Sequence, residues 1–333
     1  MKKSTTFALS AVVGATLLAL SGGTFAATDV SANVEIDSTN RAGSAVADND
    51  KGLGQGGRVE VNISGKAGDN AFVAGRASLI ANKTGGASTD DMWVQIGNGS
   101  GDIKLGRFEA ADLFPLINDT LVAHAGNVYA ANNLRGRAGN GSFQAAGTLK
   151  LGSVASLELN LIDATKTEMN NASSFAQNTG VNAKGARAVL SLGSGALTGR
   201  IGFESGEYKP AVLGGSANKV QGFGVTATYE TGSFKVTGNY AKGQQDAAAN
   251  NGESAFGLSV GVGAFGAGYV AATNDQAGGD IKVNTIYAAY SFPLFGVKGA
   301  SITPAISSST VKDSVANTSK DENDFRVRVH YDF

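Results

Sequence analysis

Read in steps of two from its C-terminus, the chain alternates oily and wet positions. Phe333, Tyr331, Val329, Val327 and Phe325 share one parity, and Asp332, His330, Arg328 and Arg326 the other. That is the period of a strand with one apolar and one polar face. The pattern recurs. Val59, Val61 and Ile63 oppose Arg58, Glu60 and Asn62; Leu157, Leu159 and Leu161 oppose Ser156, Glu158 and Asn160. Phe223, Val225 and Tyr229 oppose Gly224, Thr226 and Thr228; Phe234, Val236 and Tyr240 oppose Lys235, Thr237 and Asn239. About sixteen such segments begin near residues 29, 55, 70, 89, 102, 141, 153, 183, 197, 219, 233, 253, 264, 280, 298 and 324. Alternating segments of about ten residues, even in number, are the signature of a membrane β-barrel.

The gaps between segments alternate short and long. The short ones, such as Asn98-Gly99-Ser100-Gly101 and Gly193-Ser194-Gly195, carry the chemistry of tight hairpin turns. The long ones are expected near 39–53, 108–140, 165–182, 207–218 and 310–323. Outer-membrane barrels have short periplasmic turns and longer outer loops. Phe223 and Tyr229 lie six residues apart on one face, as do Phe234 and Tyr240. That is roughly 20 Å along a strand, close to the spacing of the two aromatic girdles flanking an apolar band about 25 Å tall. The sequence therefore predicts an all-β fold, a transmembrane antiparallel barrel of about sixteen strands. Lipid offers backbone groups no partners, so the sheet must close, and a closure of that size leaves an aqueous lumen. Pro304 falls inside the fifteenth segment, where its missing N–H would break a ladder.

The front of the chain reads as an export signal: Lys2 and Lys3, an apolar stretch from Phe7 to Leu20, then small residues around Ala26. Cleavage there predicts a signal peptide over 1–26 and one barrel domain over 27–333. The mature part, 333 less 26 or 307 residues, has 25 basic and 28 acidic side chains, which excludes a strongly basic nucleic-acid binder. Cysteine is absent, so neither a disulfide framework nor a thiolate site exists. Glycine, at 47 residues, and proline, at 4, fit strands and tight turns.

Chemistry concentrates in the longest gap, from about Phe108 to Gly139. It holds Glu109, Asp112 and Asp119, then Arg135 and Arg137. It also holds Leu113, Phe114, Leu116, Ile117, Leu121 and Val122, apolar anchors that an ordinary outer loop does not need. A loop folded inward against the wall does need them. The wet faces of the strands carry Arg58, Arg76, Lys104, Arg187, Arg200, Arg326 and Arg328. An acidic loop facing a basic wall would set a transverse field across a water-filled constriction.

Taken together, the signal segment, the sixteen alternating segments, the IKLGRFEAADLFP entry to a long third loop and the terminal Phe333 resemble the Gram-negative general porins. The resemblance covers the whole mature chain. It implies a homotrimer of sixteen-stranded barrels in the outer membrane, without cofactor or metal, passing ions and small hydrophilic solutes by passive diffusion rather than acting as an enzyme. It implies that the third loop enters the lumen, with Glu109, Asp112 and Asp119 as acids of the constriction. Arg58 and Arg76 stand for the early-strand arginine cluster and Arg135 for the basic residue near the loop's end; Arg107, in the Leu105-Gly106-Arg107 entry, joins the basic lining. Phe333, Tyr331 and Val329 resemble the signal read by the barrel-assembly machinery. One departure stands out: the second loop, about 82–88, is short, whereas family members often use a longer one to latch a neighbouring subunit.

Other readings remain. A substrate-selective sugar or anion channel would place aromatics in the lumen, but most strand aromatics take the lipid-facing parity; Trp93 is an exception, opposite in parity to Met92, Val94 and Ile96. A hydrolase would work through His124 or His330, the two histidines. Asp48-Asn49-Asp50 and Asp321-Glu322-Asn323-Asp324 are oxygen-rich clusters of the kind that bind Ca²⁺. The glycines at 52, 54 and 57 and at 261, 263 and 266 match a dinucleotide-binding spacing, but strand-like sequence follows both where a helix is needed.

Overall fold

The computed structural model describes residues 28–120, 122–126, 128–139, 142–163, 182–209, 218–245, 251–276 and 278–333. The export signal expected over 1–26 lies outside the described residues, as does the loop expected over 165–182 except for Asn182, which begins a strand. The strands run in chain order: β1 (Thr28–Ala42), β2 (Gly52–Ala67), β3 (Ala71–Asn82), β4 (Ala87–Asn98), β5 (Gly101–Arg107), β6 (Phe143–Lys150) and β7 (Ala155–Asp163). Then follow β8 (Asn182–Ser194), β9 (Leu197–Lys209), β10 (Asn218–Thr231), β11 (Phe234–Gln245), β12 (Asn251–Val262) and β13 (Phe265–Gln276). The last are β14 (Gly279–Tyr290), the two-residue β15 (Phe292–Pro293), β16 (Ala300–Asp313) and β17 (Thr318–Asp332).

Apart from β14 and β15, which both pair with β16, each strand pairs antiparallel with its sequence neighbours, and β1 pairs with both β2 and β17, so the sheet closes. The seam is stitched to the last residue: Ala32 N–H donates to the Phe333 carbonyl and Phe333 N–H to the Ala32 carbonyl, both at 2.9 Å. β14 and β15 hold one register against β16, Ala289 opposite Ala305 and Phe292 opposite Ile302. They are one stave, so the seventeen strands make a sixteen-stave barrel. The interruption falls at Tyr290 and Ser291, the level of Pro304, which has no N–H to give β14. Its other side still pairs with Val327. The proline is thus inside a strand, and the neighbouring ladder absorbs it.

Outward positions carry the large apolar side chains. Ile96, Ile103, Phe203 and Ile286 are each 57–59% exposed, and a continuous belt of this kind belongs against hydrocarbon rather than water. Two aromatic levels mark its edges on β9–β17. Phe203, Phe223 and Tyr240 sit in sequence with ring centroids 6.1 and 6.0 Å apart. Toward the short turns lie Tyr229, Phe234, Phe265 and the Tyr290–Phe292 pair at 4.4 Å.

One expected long loop is not one. The segment expected over 310–323 is almost all strand, and β16 and β17 pair out to Asp313 and Thr318. Beyond the lipid both faces are wet, so alternation disappears from the sequence while backbone pairing continues. The second connection is short, as expected: Thr84 and Gly86 both bond to the Asn82 side chain, and Lys83 reaches Gln55 of the same barrel at 2.8 Å.

Candidate functional site

The third loop leaves β5 at Arg107 and returns to β6 at Phe143, and its two ends are clamped together. Arg107 donates to the carbonyls of Thr89 and Asp90 on the wall and of Arg137 and Ala138 in the loop. Gln144 bridges Phe108 and Ala138 from the other side. Between the clamps the loop turns into the lumen and lies along the wall. Leu113, Phe114, Val128, Ala130 and Ala131 are buried there against Val189, Ala241, Ala255, Val270 and Val283. The expected anchors Leu116 and Val122 pack on the rim of that cluster; Leu121 lies outside the described residues.

The wall makes room by omitting side chains. A Cβ on Gly224 would stand 2.9 Å from Leu113, and one on Gly257 would stand 2.8 Å from the Phe114 ring. Gly202, Gly243 and Gly261 face Leu113, Tyr129 and Ile117 in the same way. The glycine-rich stretch of β12 and β13 is therefore one side of a fitted contact.

Polar pins hold the loop's backbone, whose buried carbonyls need donors. Arg187 and Glu204, both without side-chain exposure, face each other at 3.6 Å. Arg187 donates to the carbonyls of Ala111 and Ala131 and to Asn132 Oδ1. Glu204 accepts from Tyr129 Oη at 2.9 Å and from Leu134 N–H at 3.2 Å. Burial, reinforced by Glu204, pushes the Tyr129 phenol well above its usual range. Arg200 binds the Asp112 carbonyl, Thr226 that of Leu113, Asn239 that of Pro115 and Arg326 that of Thr120. His124 is packed in the same layer, and burial lowers its pKa to about 4.

The opposite wall stays open to the lumen and carries alternating charge. Arg328 makes a two-pronged contact with Asp37 at 2.8 Å on each arm and reaches Glu35 at 3.3 Å. Arg58 binds Glu35 at 3.0 Å and nears Glu60 at 3.5 Å; Arg76 follows with Glu60 at 3.6 Å and Asp91 at 3.9 Å. Arg137 carries the series onto the loop, with Asp91 at 2.8 Å, Asp90 at 3.0 Å and Glu109 at 3.4 Å. Arg135 continues it to Glu109 at 3.0 Å and Asp112 at 3.6 Å. Burial disfavours the Arg137 charge, but Glu109 and Asp91 outweigh it and hold its pKa above the ordinary value. Arginine and carboxylate thus alternate from β17 through β4 and along the loop. Beneath the loop's Pro115–Asn118 stretch, toward the short turns, a cavity of about 910 Å³ opens, lined by Lys150, Ser191, Thr228 and Lys235 among others.

The residues singled out from sequence divide between these two faces. Arg58, Arg76, Arg326 and Arg328 join the open charge series, as do Glu109, Asp112 and Arg135 from the loop. Asp119 is exposed near Arg328. Lys104 stands 4.7 Å over Trp93 and 5.3 Å from Phe108. Arg107, Arg187 and Arg200 bond to loop carbonyls; Arg187 is fully buried by that contact, whereas Arg200 also lines the cavity beneath the loop. Tyr331 and Phe333 stack at 5.5 Å on the outward seam, with Val329 on the same face. Sequence reasoning passed over Glu35, Asp37, Asp90, Asp91 and Glu204. Glu35 and Asp37 have the wet parity beside Val34 and Ile36, so the signal was present.

The other candidate chemistry falls out differently. His330 sits between Glu35 at 3.4 Å and Asp332 at 3.0 Å. Asp48 pairs with Lys51, Asp321 with Ser44, and Glu322 with Arg41. Among the described residues, no group of three or more His, Cys, Asp or Glu is placed to hold a metal ion.

These features define a closed, sixteen-stave barrel of the outer-membrane type, with a loop folded into its lumen. No family model and no curated protein matches the chain, whereas solved structures do. It superposes on the trimer form of OmpT, an outer membrane protein of Vibrio cholerae, with a TM-score of 0.70 at 12% identity, covering 93% of this chain and 100% of that one. An anion-selective porin from Comamonas acidovorans matches with a TM-score of 0.64 at 15% identity, over 92% of this chain and 100% of that one. A mutant of the Rh. blastica porin gives 0.57 at 12% identity over the same shares. At such identities the likeness is one of fold.

Proposed function

We propose that the protein is a passive diffusion channel of a Gram-negative outer membrane, passing ions and small hydrophilic solutes. The observation that carries this reading is the division of the lumen: the inward loop covers the apolar, glycine-lined wall and leaves the charged wall facing water. Fixed charges on both sides of a narrowed aqueous path attract and sort small polar solutes without covalent chemistry. Reconstitution in a planar bilayer should give stepwise, ohmic conductance. A folded, inserted barrel that carries no current would defeat the proposal.

The same reading takes the barrel as a homotrimer. Among the described residues, every outward aromatic carried by a strand, except Phe143, lies on β9–β17, and Phe295 and Phe333 flank those same strands. Aromatic rings collect at lipid headgroups, so the aliphatic surface of β1–β5 is the face suited to pack against other copies. A hydrolase through His330 has less support, since its neighbours are two carboxylates and no serine hydroxyl is among its described partners.

A further inference from the structure

The charge series takes up the arginines of the open wall; Lys66 and Lys104 stand outside it, as do Lys150 and Lys235 of the cavity lining. Lys66 Nζ lies 4.5 Å above the Phe72 ring and Lys104 Nζ lies 4.7 Å above the Trp93 ring. Among the described residues neither ammonium has a carboxylate within 4.0 Å. Both belong to one cross-strand row on the lumen face. Lys66 is opposite Ala74, Ala74 opposite Gln95, and Gln95 opposite Lys104. Three strand spacings put the lysine backbones about 14 Å apart, and the small Ala74 leaves a low floor between them. The row lies toward the short turns, with Trp93 one step on the loop side and Phe72 one step on the turn side.

An aromatic face holds an ammonium in place without neutralising it. The three N–H donors of each lysine remain available to an anion, while the ring edges offer apolar contact. We propose that Lys66, Phe72, Trp93 and Lys104 form a subsite for small organic anions that carry an apolar body beside a carboxylate. The subsite rests on the water-filled lumen proposed above and gives that channel a class of preferred solute. The paired arginines of the constriction cannot do the same work, because their guanidinium groups already face carboxylates at 2.8–3.9 Å.

Trp93 is the single tryptophan of the chain, so its emission reports on the subsite directly. Cyclohexanecarboxylate, which does not absorb where tryptophan is excited, is titrated at constant ionic strength into the intact protein in detergent. A saturable change in Trp93 emission is expected. Acetate and cyclohexanol, offering the charge or the ring alone, should bind at least about tenfold more weakly, as should cyclohexanecarboxylate to the Lys104→Gln or Lys66→Gln protein. Lys298→Gln, in a short turn far along the chain from the row, should retain the wild-type response. No saturable response, an equal response to acetate, or an unchanged response in both lysine variants would each overturn the subsite. Bilayer conductance of the same wild-type preparation separates the two ideas: a silent barrel that still binds counts against the channel alone.

Discussion

Arg58 and Arg76 reach further into the lumen than the carboxylates they face. Their side chains are 42% and 37% exposed, against 13% for Glu35 and 10% for Glu60. The short acids lie against the wall and the long guanidinium groups stand in front of them. Opposite charges this close cancel beyond a few ångströms, and salt screens the remainder. The proposed channel should therefore discriminate weakly between cations and anions, with a small reversal potential in a salt gradient. Replacing Arg58 and Arg76 together by Gln should move that potential toward cation preference, and replacing Glu35 and Glu60 by Gln should move it the other way. Equal shifts of one sign from both pairs would contradict the assignment. A second residue-scale expectation concerns Glu204. Glu204→Gln leaves the Arg187 charge buried without its counter-charge, a change that typically costs roughly 3–5 kcal/mol. The barrel wall is held by its own ladders, so the loop should bear that cost. Single-channel records should show noisier current and proteolysis should cut the loop faster, while the heat stability of the barrel changes little.

At the scale of elements, the strands were legible and the loop's bed was not. Alternation placed the staves because every lipid-facing parity is apolar, and the last segment, from Phe325 to Phe333, showed it most cleanly. Where strands rise beyond the lipid, as β16 and β17 do, no such pressure acts, and the sequence looked like loop. The inward course of the third loop was legible from Leu113 and Phe114, apolar side chains with nowhere else to go. Its contact surface was not. Gly224 counted only as one more wet-face position and Gly257 only as part of a glycine-rich stretch of weak register, because an absent side chain announces no partner until the partner is placed. The acids Glu35 and Asp37 were legible by their wet parity beside Val34 and Ile36, but nothing in sequence set them apart from other wet-face positions until Arg58 and Arg328 stood against them. His124 supplies a prediction for the loop. Its pKa is depressed by burial to about 4, below the ordinary 6.5. The neutral form therefore favours the packed loop; that contribution is complete above about pH 6.5 and is lost as pH falls toward 4. Open-channel fluctuations should grow over that window and should lose this dependence in His124→Gln. A pH-independent wild type would exclude the mechanism.

For the whole molecule, the uneven distribution of aromatics divides the outer surface into two sectors. If β1–β5 pack against other copies, Val94→Arg on β4 should abolish a heat-sensitive oligomer band on a gel. Ile286→Arg on β14 should impair insertion, by roughly 2–4 kcal/mol if it lies near the bilayer midplane, yet leave that band in whatever protein folds. The opposite pattern would move the subunit contact to the aromatic side. With its second connection folded onto its own Gln55, the proposed trimer would have the aliphatic staves as its main adhesive.

The bond pair between Ala32 and Phe333 has a consequence for how such a wall is made. It is the outermost rung of a seam that runs from Asn33 opposite Asp332 to Ala42 opposite Asn323, so the wall closes only when a strand made late in the chain returns to the one made early. Until the two meet, the sheet keeps two raw margins whose N–H and C=O groups hydrocarbon cannot satisfy, so sealing the tube and entering the bilayer are expected to go together.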